Sequence, residues 1–319
     1  MTPITVGGIT VAPGTEQRIE LPIARLPTQT MLSLPVHVIN GHSDGPHLWL
    51  SAAIHGDELN GVEIIRQVLE QVKPNKLQGA LLAVPIVNIF GFIEQSRYLP
   101  DRRDLNRSFP GSAKGSLAGR IAHLFMKEIV SHCSHGIDLH TASNHRVNLP
   151  QIRANLDDSE TYRCAQAFGA PAIIHANTRD GSLRQAAAKQ GISVLLYESG
   201  EALRFDQEAI KVGVEGVLQV MSVLKMLDSD STNTQGTTPQ ESRDTKWVRA
   251  SQSGILHLQI ELGQAVSKRQ KIGYIADALG DTNKRVQSPC DGMVIGFTKN
   301  PLVNQGDGIV HIAAGSFRN

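Results

Sequence analysis

The chain has 319 residues, 31 Lys and Arg against 30 Asp and Glu, and 40 % hydrophobic residues of which few are aromatic. That composition supports an aliphatic core and excludes wholesale disorder, its length suits two domains, and its balanced charge gives no support for a nucleic-acid binder or a membrane-surface binder. No run approaches the roughly 18 apolar residues of a membrane span, the start lacks a basic stretch followed by an apolar one, and Cys133, Cys164 and Cys290 form neither a disulfide framework nor a Cys-x-x-Cys pattern, so a reduced, cytoplasmic protein is expected.

In chain order, strand and helix signals alternate. Residues 47–54 (HLWLSAAI) are a short apolar run, and 58–72 place Leu59, Val62, Ile65, Val68 and Leu69 near helical spacing. A strand is expected at 81–87, a helix at 117–130 and a short strand at 136–140. A strand at 172–175, a helix from Leu183, a strand at 192–198 and a long amphipathic helix at 207–227 continue the alternation. This is the α/β pattern, a mixed, largely parallel sheet flanked by helices. Residues 228–244 are rich in Ser, Thr, Gln and Asp and nearly free of apolar side chains. They cannot offset their ordering entropy by burial and are expected to form a linker. It separates a domain at 1–227 from one at 245–319, where short strands near 248, 255–260, 271–276, 293–297 and 309–313 alternate with Gly, Asp, Pro and Asn. That second region reads as a smaller all-β, barrel-like domain.

The chemistry concentrates at strand ends. His55-Gly56-Asp57-Glu58 lies where an expected strand gives way to a helix, the edge at which open α/β sheets bind ligands. Asp138-Leu139-His140 ends another strand. Two histidines and a carboxylate, with a fourth position left for water, are the ligand set of a hydrolytic zinc site. Taken singly, His55 is as readily a helix-start residue and His140 a core histidine; together they read as a metal site. Glu198 closes the apolar strand that runs into Tyr-Glu-Ser-Gly and suits general-base work, a loop carboxylate being the alternative. Within Asp104-Leu-Asn-Arg107, Asn106 and Arg107 can fork a carboxylate, and Asp104 can steady a metal-binding histidine; the alternative is a solvated loop with an Arg–Asp pair.

HGDE, DLNR, DLH and YESG occur in the order of the succinylglutamate desuccinylase/aspartoacylase family, which the chain resembles over roughly 47–227. The family is related to zinc carboxypeptidases, and the resemblance implies that fold for 1–227. It also implies one zinc ion (Zn2+) per chain held by His55, Glu58 and His140. Asn106 and Arg107 would bind the carboxylate of an N-acyl amino acid, and Glu198 would act as base and then acid. Arg97 best matches a carbonyl-polarising arginine, with Arg102 and Arg103 close by in sequence, and Arg184 matches an acyl-side arginine. The implied reaction is hydrolysis of the amide, releasing a carboxylic acid and a free amine. The C-terminal region resembles a lipoyl- or biotinyl-type barrel but lacks the Met-Lys-Met triplet, so no modified lysine is expected. A structural lid or a surface for self-association into a homo-oligomer is the plainer reading of it. Two alternatives remain: a carboxypeptidase-like metallopeptidase, against which the DLNR form argues, and a non-catalytic metal or metabolite binder, against which Glu198 argues.

Overall fold

The computed structural model describes residues 2–143, 145–228, 239–280 and 283–317. An N-terminal hairpin, β1 (Ile4–Val6) and β2 (Ile9–Val11), precedes a long antiparallel pair, β3 (Thr15–Arg25) and β4 (Met31–Asn40). Then follow β5 (Ser43–Ala52), α1 (Asn60–Gln71), β6 (Gln78–Val84), α2 (Ile89–Ile93) and α3 (Leu117–Glu128). β7 (His135–Ala142), β8 (Arg146–Ala154), α4 (Ser159–Phe168), β9 (Ala172–His175), α5 (Leu183–Ala188), β10 (Ser193–Glu201) and α6 (Gln207–Val223) complete the first part. The remainder is β-structure: β11 (Gln240–Ser242), β12 (Thr245–Arg249), β13 (Gly254–Leu258), β14 (Ala265–Val266), β15 (Lys271–Ala276), β16 (Asn283–Gln287), β17 (Gly292–Thr298), β18 (Leu302–Val303) and β19 (Gly308–Ala314). No described helix is long and apolar enough to cross a membrane.

One large mixed sheet runs β12-β19-β17-β8-β10-β7-β5-β6-β4-β3, with β9 on β8, β11 on β9 and β14 on β17. Its centre, β6-β5-β7-β10, is parallel. The expectation of a largely parallel sheet holds only there, because β3–β4 and the strands beyond β10 pair mainly antiparallel. The parallel strands are apolar on both faces because helices cover both. One face buries Leu48, Leu50, Ile137 and Leu139 against α1, α4 and α6, while Trp49 and Leu82 pack on the other with α3 and α5.

Two expectations for the second half change. Residues 240–242 of the expected linker form β11, which pairs in parallel with β9, so apolar content alone misjudged that end; 229–238 lie outside the described residues. In place of a barrel, the described residues at 245–319 give a four-stranded antiparallel sheet, β16-β15-β13-β18, and extend the large sheet with the rest. The join is at β8. Its first half, Arg146–Asn148, pairs with β17, and its second, from Gln151 on, pairs with β9, while β10 runs along its opposite edge. The large sheet therefore continues across the sequence boundary at 228–244.

Gly136, at the start of β7, lies against the Trp49 ring, where an added Cβ would stand 2.1 Å from Cζ2. Trp49 is fully buried and cannot withdraw without repacking. Gly136→Ala is expected to cost about 1–3 kcal/mol of stability by overpacking, read as a lower denaturant midpoint; an unchanged midpoint would show that this contact is slack.

Candidate active site and metal centre

β5 ends beside β7, and residues 53–59 carry the chain from β5 into α1 across the edge of the sheet. The turn is closed by Glu58 N–H donating to the His55 carbonyl and clamped by Gly56 N–H donating to the Ser96 carbonyl. Position 56 has to be glycine, since a Cβ there would stand 1.9 Å from the Gly91 backbone carbon in α2. So held, His55 and Glu58 turn inward and are buried. On β7, Asp138 and His140 share one face by the two-residue strand period, opposite Ile137 and Leu139 in the core.

The Glu58 carboxylate lies between the imidazoles. Oε1 is 2.7 Å from His55 Nδ1 and Oε2 is 2.7 Å from His140 Nδ1. Each far ring nitrogen meets an aspartate: His55 Nε2 is 3.2 Å from Asp104 Oδ1, and His140 Nε2 is 2.8 Å from Asp138 Oδ2. Ser51 Oγ donates in turn to Asp138 Oδ1 at 2.8 Å. Aspartates at the Nε2–H groups aim both Nδ1 lone pairs at Glu58, so acceptor faces acceptor unless a positive charge lies between them. Burial opposes charge on all three groups. Even so, their attraction holds the Glu58 carboxyl well below the usual range, and the Glu58, Asp104 and Asp138 carboxylates push both histidines up. A cluster that attracts positive charge, with ligand atoms within 4.8 Å of one another, fits a divalent cation. A second group, His135, Glu160 and Cys164, is as compact, but Arg163 Nε already donates to Glu160 at 2.9 Å.

The other sequence candidates converge on the same cleft, about 240 Å³ in volume. Leu105–Arg107 is a short 3-10 turn capped by Asp104, whose Oδ1 accepts from Asn106 N–H at 2.9 Å. Asp104 also accepts from Arg97 at 2.9 Å, so Arg97, and not Arg107, is its partner. Arg97 Nη1 reaches to 3.2 Å from His55 Nδ1, whereas Arg102 and Arg103 are exposed and outside the cleft. That separates three arginines the sequence left together. Asn106 Oδ1 accepts from Leu183 N–H at 3.0 Å, tying the turn to α5 and so to Arg184. Arg107 and Arg184 both line the cleft.

Glu198 lines the cleft on β10 in polar surroundings, where Asn148 Nδ2 donates to its Oε2 at 2.9 Å and Arg153 Nε lies 3.4 Å from the same oxygen. Glu201, three residues on, turns to Lys299 Nζ at 2.8 Å and is not part of the lining. Arg146, Asn148, Arg153, Arg179, Trp247 and His311 line the cleft as well and escaped the sequence reading. β8 passes from Glu198↔Gln151 to Gly200↔Asn148, one residue more than β10. Such a bulge re-aims side chains, and here it lets Asn148 and Arg153, an odd number of residues apart, approach the same carboxylate. Alternation on either side of Pro150, out of phase across it, was the available signal for this strand.

Residues 44–224 match the model of the succinylglutamate desuccinylase/aspartoacylase catalytic domain, more than half of the chain. The chain belongs to this family. The N-alpha-acetyl-L-2,4-diaminobutyric acid deacetylase of Halomonas elongata is 27 % identical over 294 residues, covering 88 % of this chain and 85 % of that protein. A succinylglutamate desuccinylase/aspartoacylase of Rhodobacter sphaeroides superposes with a TM-score of 0.82 at 24 % identity, over 93 % of this chain and 95 % of that one. The product-bound ectoine utilization protein EutE (DoeB) of Ruegeria pomeroyi superposes with a TM-score of 0.83 at 22 % identity, over 94 % and 95 % of the two chains. These likenesses extend the shared fold beyond the catalytic region into the C-terminal strands.

The aspartate behind His140 offers a test that leaves every ligand atom in place. Asp138→Asn removes the charge orienting the ring, and metal affinity is expected to fall about 10–100-fold. Competition against a chromophoric chelator measures it; undiminished affinity would mean that His140 is not oriented through Asp138.

Proposed function

We propose that the protein is a zinc-dependent hydrolase that cleaves the amide bond of an N-acyl amino acid into a carboxylic acid and a free amine. The observation that carries this reading is the shared cleft: a His–Glu–His cluster fit for a divalent cation, a carboxylate across from it, and cationic side chains able to hold an anionic substrate. Family membership and the activity named for the Halomonas relative support it.

His55, Glu58 and His140 would hold the zinc, which when bound would supply a Lewis acid for the scissile carbonyl and bring the pKa of water to about 7. Glu198 takes the proton of the attacking water and hands it to the leaving nitrogen, which would otherwise depart as a poor amide anion. Asn148 and Arg153 restrict the Glu198 carboxylate to one orientation. Asn106 and Arg107 hold the α-carboxylate in a planar fork and set the amide over the cluster. Arg97 donates to the carbonyl oxygen as negative charge develops on it, a role its place beside His55 in the cleft supports. Free thiols at Cys133, Cys164 and Cys290 suit a reducing, cytoplasmic setting.

Elemental analysis is expected to find one zinc per chain, and none once His55→Ala and His140→Ala are combined; full occupancy in that double variant would reassign the site. Amine release from a panel of N-acyl amino acids tests the reaction itself, and silence across the panel would overturn the proposal. Glu198→Gln is expected to keep its zinc and lose about two to four orders of magnitude in turnover, with near-normal turnover moving the base elsewhere.

A further inference from the structure

The active-site cleft is one end of a longer groove. On β10, Glu198 and Leu196 line the cleft, while Val194 and Ser193 line a second cavity of about 480 Å³. By the strand period Val194 shares the face of Leu196 and Glu198, with Leu195 and Tyr197 turned to the core on the other side. On β8, Arg153 pairs with Leu196 and lines the cleft, and Asn155, two residues on, lines the second cavity. The two cavities therefore share one floor, the face of β8 and β10. The second lies at the opposite end of β10 from Glu198 and its neighbour His140. Asn155, Asp157, Ala188 and Gly191 on its rim are exposed, so it opens to solvent there.

One side chain stands between the two. Among the described residues Arg184 alone lines both cavities. The wall on either side of it is a single segment, in which Arg179 and Ser182 face the cleft and Ala176, Asn177 and Thr178 face the second cavity. Its backbone is pinned: Leu183 N–H donates to Asn106 Oδ1 at 3.0 Å, and Phe109 N–H donates to the Gly181 carbonyl at 2.9 Å. The Arg184 side chain is held more lightly. It is 9 % exposed, its Nη2 donates to the Asn177 carbonyl at 3.1 Å, and its Nη1 has no hydrogen-bond partner among the described residues. A guanidinium has five N–H groups to satisfy, and one left unmade in a buried place weakens the hold on the rest. A rotamer change that carries this guanidinium aside joins the two cavities without moving the backbone. Charge differs along the groove as well. The cleft is lined by arginines, whereas the far rim carries Asp157, which accepts from Arg243 at 2.7 Å, and Asp158, which accepts from Thr161 N–H at 2.8 Å. An anion is thus retained in the cleft and passed, not held, at the rim.

We propose that the second cavity is a rear opening of the active site, through which the small carboxylic acid product leaves, with the Arg184 side chain as its gate. This rests on the deacylase reading and adds the route of release to it. Hydrolysis leaves two products together in a cleft of about 240 Å³. With the amino acid still held at Asn106 and Arg107, the rear groove gives the acid a way out that does not wait for the amino acid to go. The amino acid has its own exit at the other end of β8, where Arg146 lies 5.1 Å from the ring centroid of Trp247 and that ring is 38 % exposed.

Exchange of isotope-labelled acetate between solution and the zinc-loaded protein, followed by NMR, reads entry and exit without turnover. Ala188→Trp and Thr178→Trp each fill the second cavity from outside the catalytic machinery, and Lys189→Trp, exposed and not part of either lining, controls for added bulk on this surface. Affinity depends on the end states and not on the path between them, so closing one of two routes slows association and dissociation by the same factor. Both rate constants are expected to fall about tenfold in the two cavity-filling variants, with Kd within about twofold of wild type. Lys189→Trp is expected to match wild type. Arg184→Ala, which leaves the groove open, is expected to associate faster, whatever its effect on affinity. Slower exchange in the filled variants, with no N-acyl amino acid hydrolysed by the wild type, would support the rear opening while sinking the deacylase reading. Hydrolysis with unchanged exchange in both filled variants would overturn the rear opening alone. So would a loss of affinity at an unchanged association rate, which would make the cavity part of the binding wall, or a wild-type protein that binds no acetate.

Discussion

A fully buried carboxylate between two imidazole nitrogens, each 2.7 Å away, is the demand the surrounding structure answers. Burying Glu58 alone is prohibitive, and burying it against two lone pairs would be worse. The arrangement is tolerable because Asp104 and Asp138 direct both rings and favour positive charge at their centre. Each participant then needs its own support. His55 and Glu58 require a tight turn over the strand ends, which requires Gly56 against Gly91. Asp138 and His140 require β7 to be paired on both sides by β5 and β10, so that two residues of the same strand stay in line.

The rest of the cleft follows from how β8 is shared. A strand that gives one edge to β10 and divides the other between β9 and β17 joins the two parts of the chain through backbone hydrogen bonds. Its bulge supplies two ligands to the Glu198 carboxylate, and its pairing to β17 carries β19 and β12 toward the site. Trp247 and His311, directly opposite in the β12–β19 register, then stand at the cleft although more than 45 residues of sequence separate Glu198 from the nearer of them. The cleft gathers strong positive charge although the chain as a whole has a formal charge of only +1. The field a substrate meets is local, set by which arginines face inward without a partner.

Much of the catalytic region is legible because its signals are local. Apolar runs ending at HGDE, DLH and YESG mark parallel strands, and ligand-type residues at their ends mark the functional edge. The antiparallel flanks are harder to read. β8 carries Pro150 and a bulge that break its alternation, and β11 is three polar residues whose strand state comes wholly from pairing with β9. Arg146, Arg153 and Arg179 read in sequence as ordinary surface cations, since nothing local distinguishes an inward guanidinium from an outward one.

From the sequence alone came the residue types and spacings of the metal cluster, the α/β frame that carries it, and the family to which that frame belongs. The tertiary structure decided which of Arg97, Arg102 and Arg103 reaches the cluster, what holds Glu198, and that strands beyond residue 244 help to wall the cleft. The division has a physical reason. Helical and strand periods and a three-residue turn are short-range properties, encoded within a few neighbouring residues. Charge compensation and burial depend on partners brought together by strand pairing across long separations, and only the folded sheet determines which charges find one.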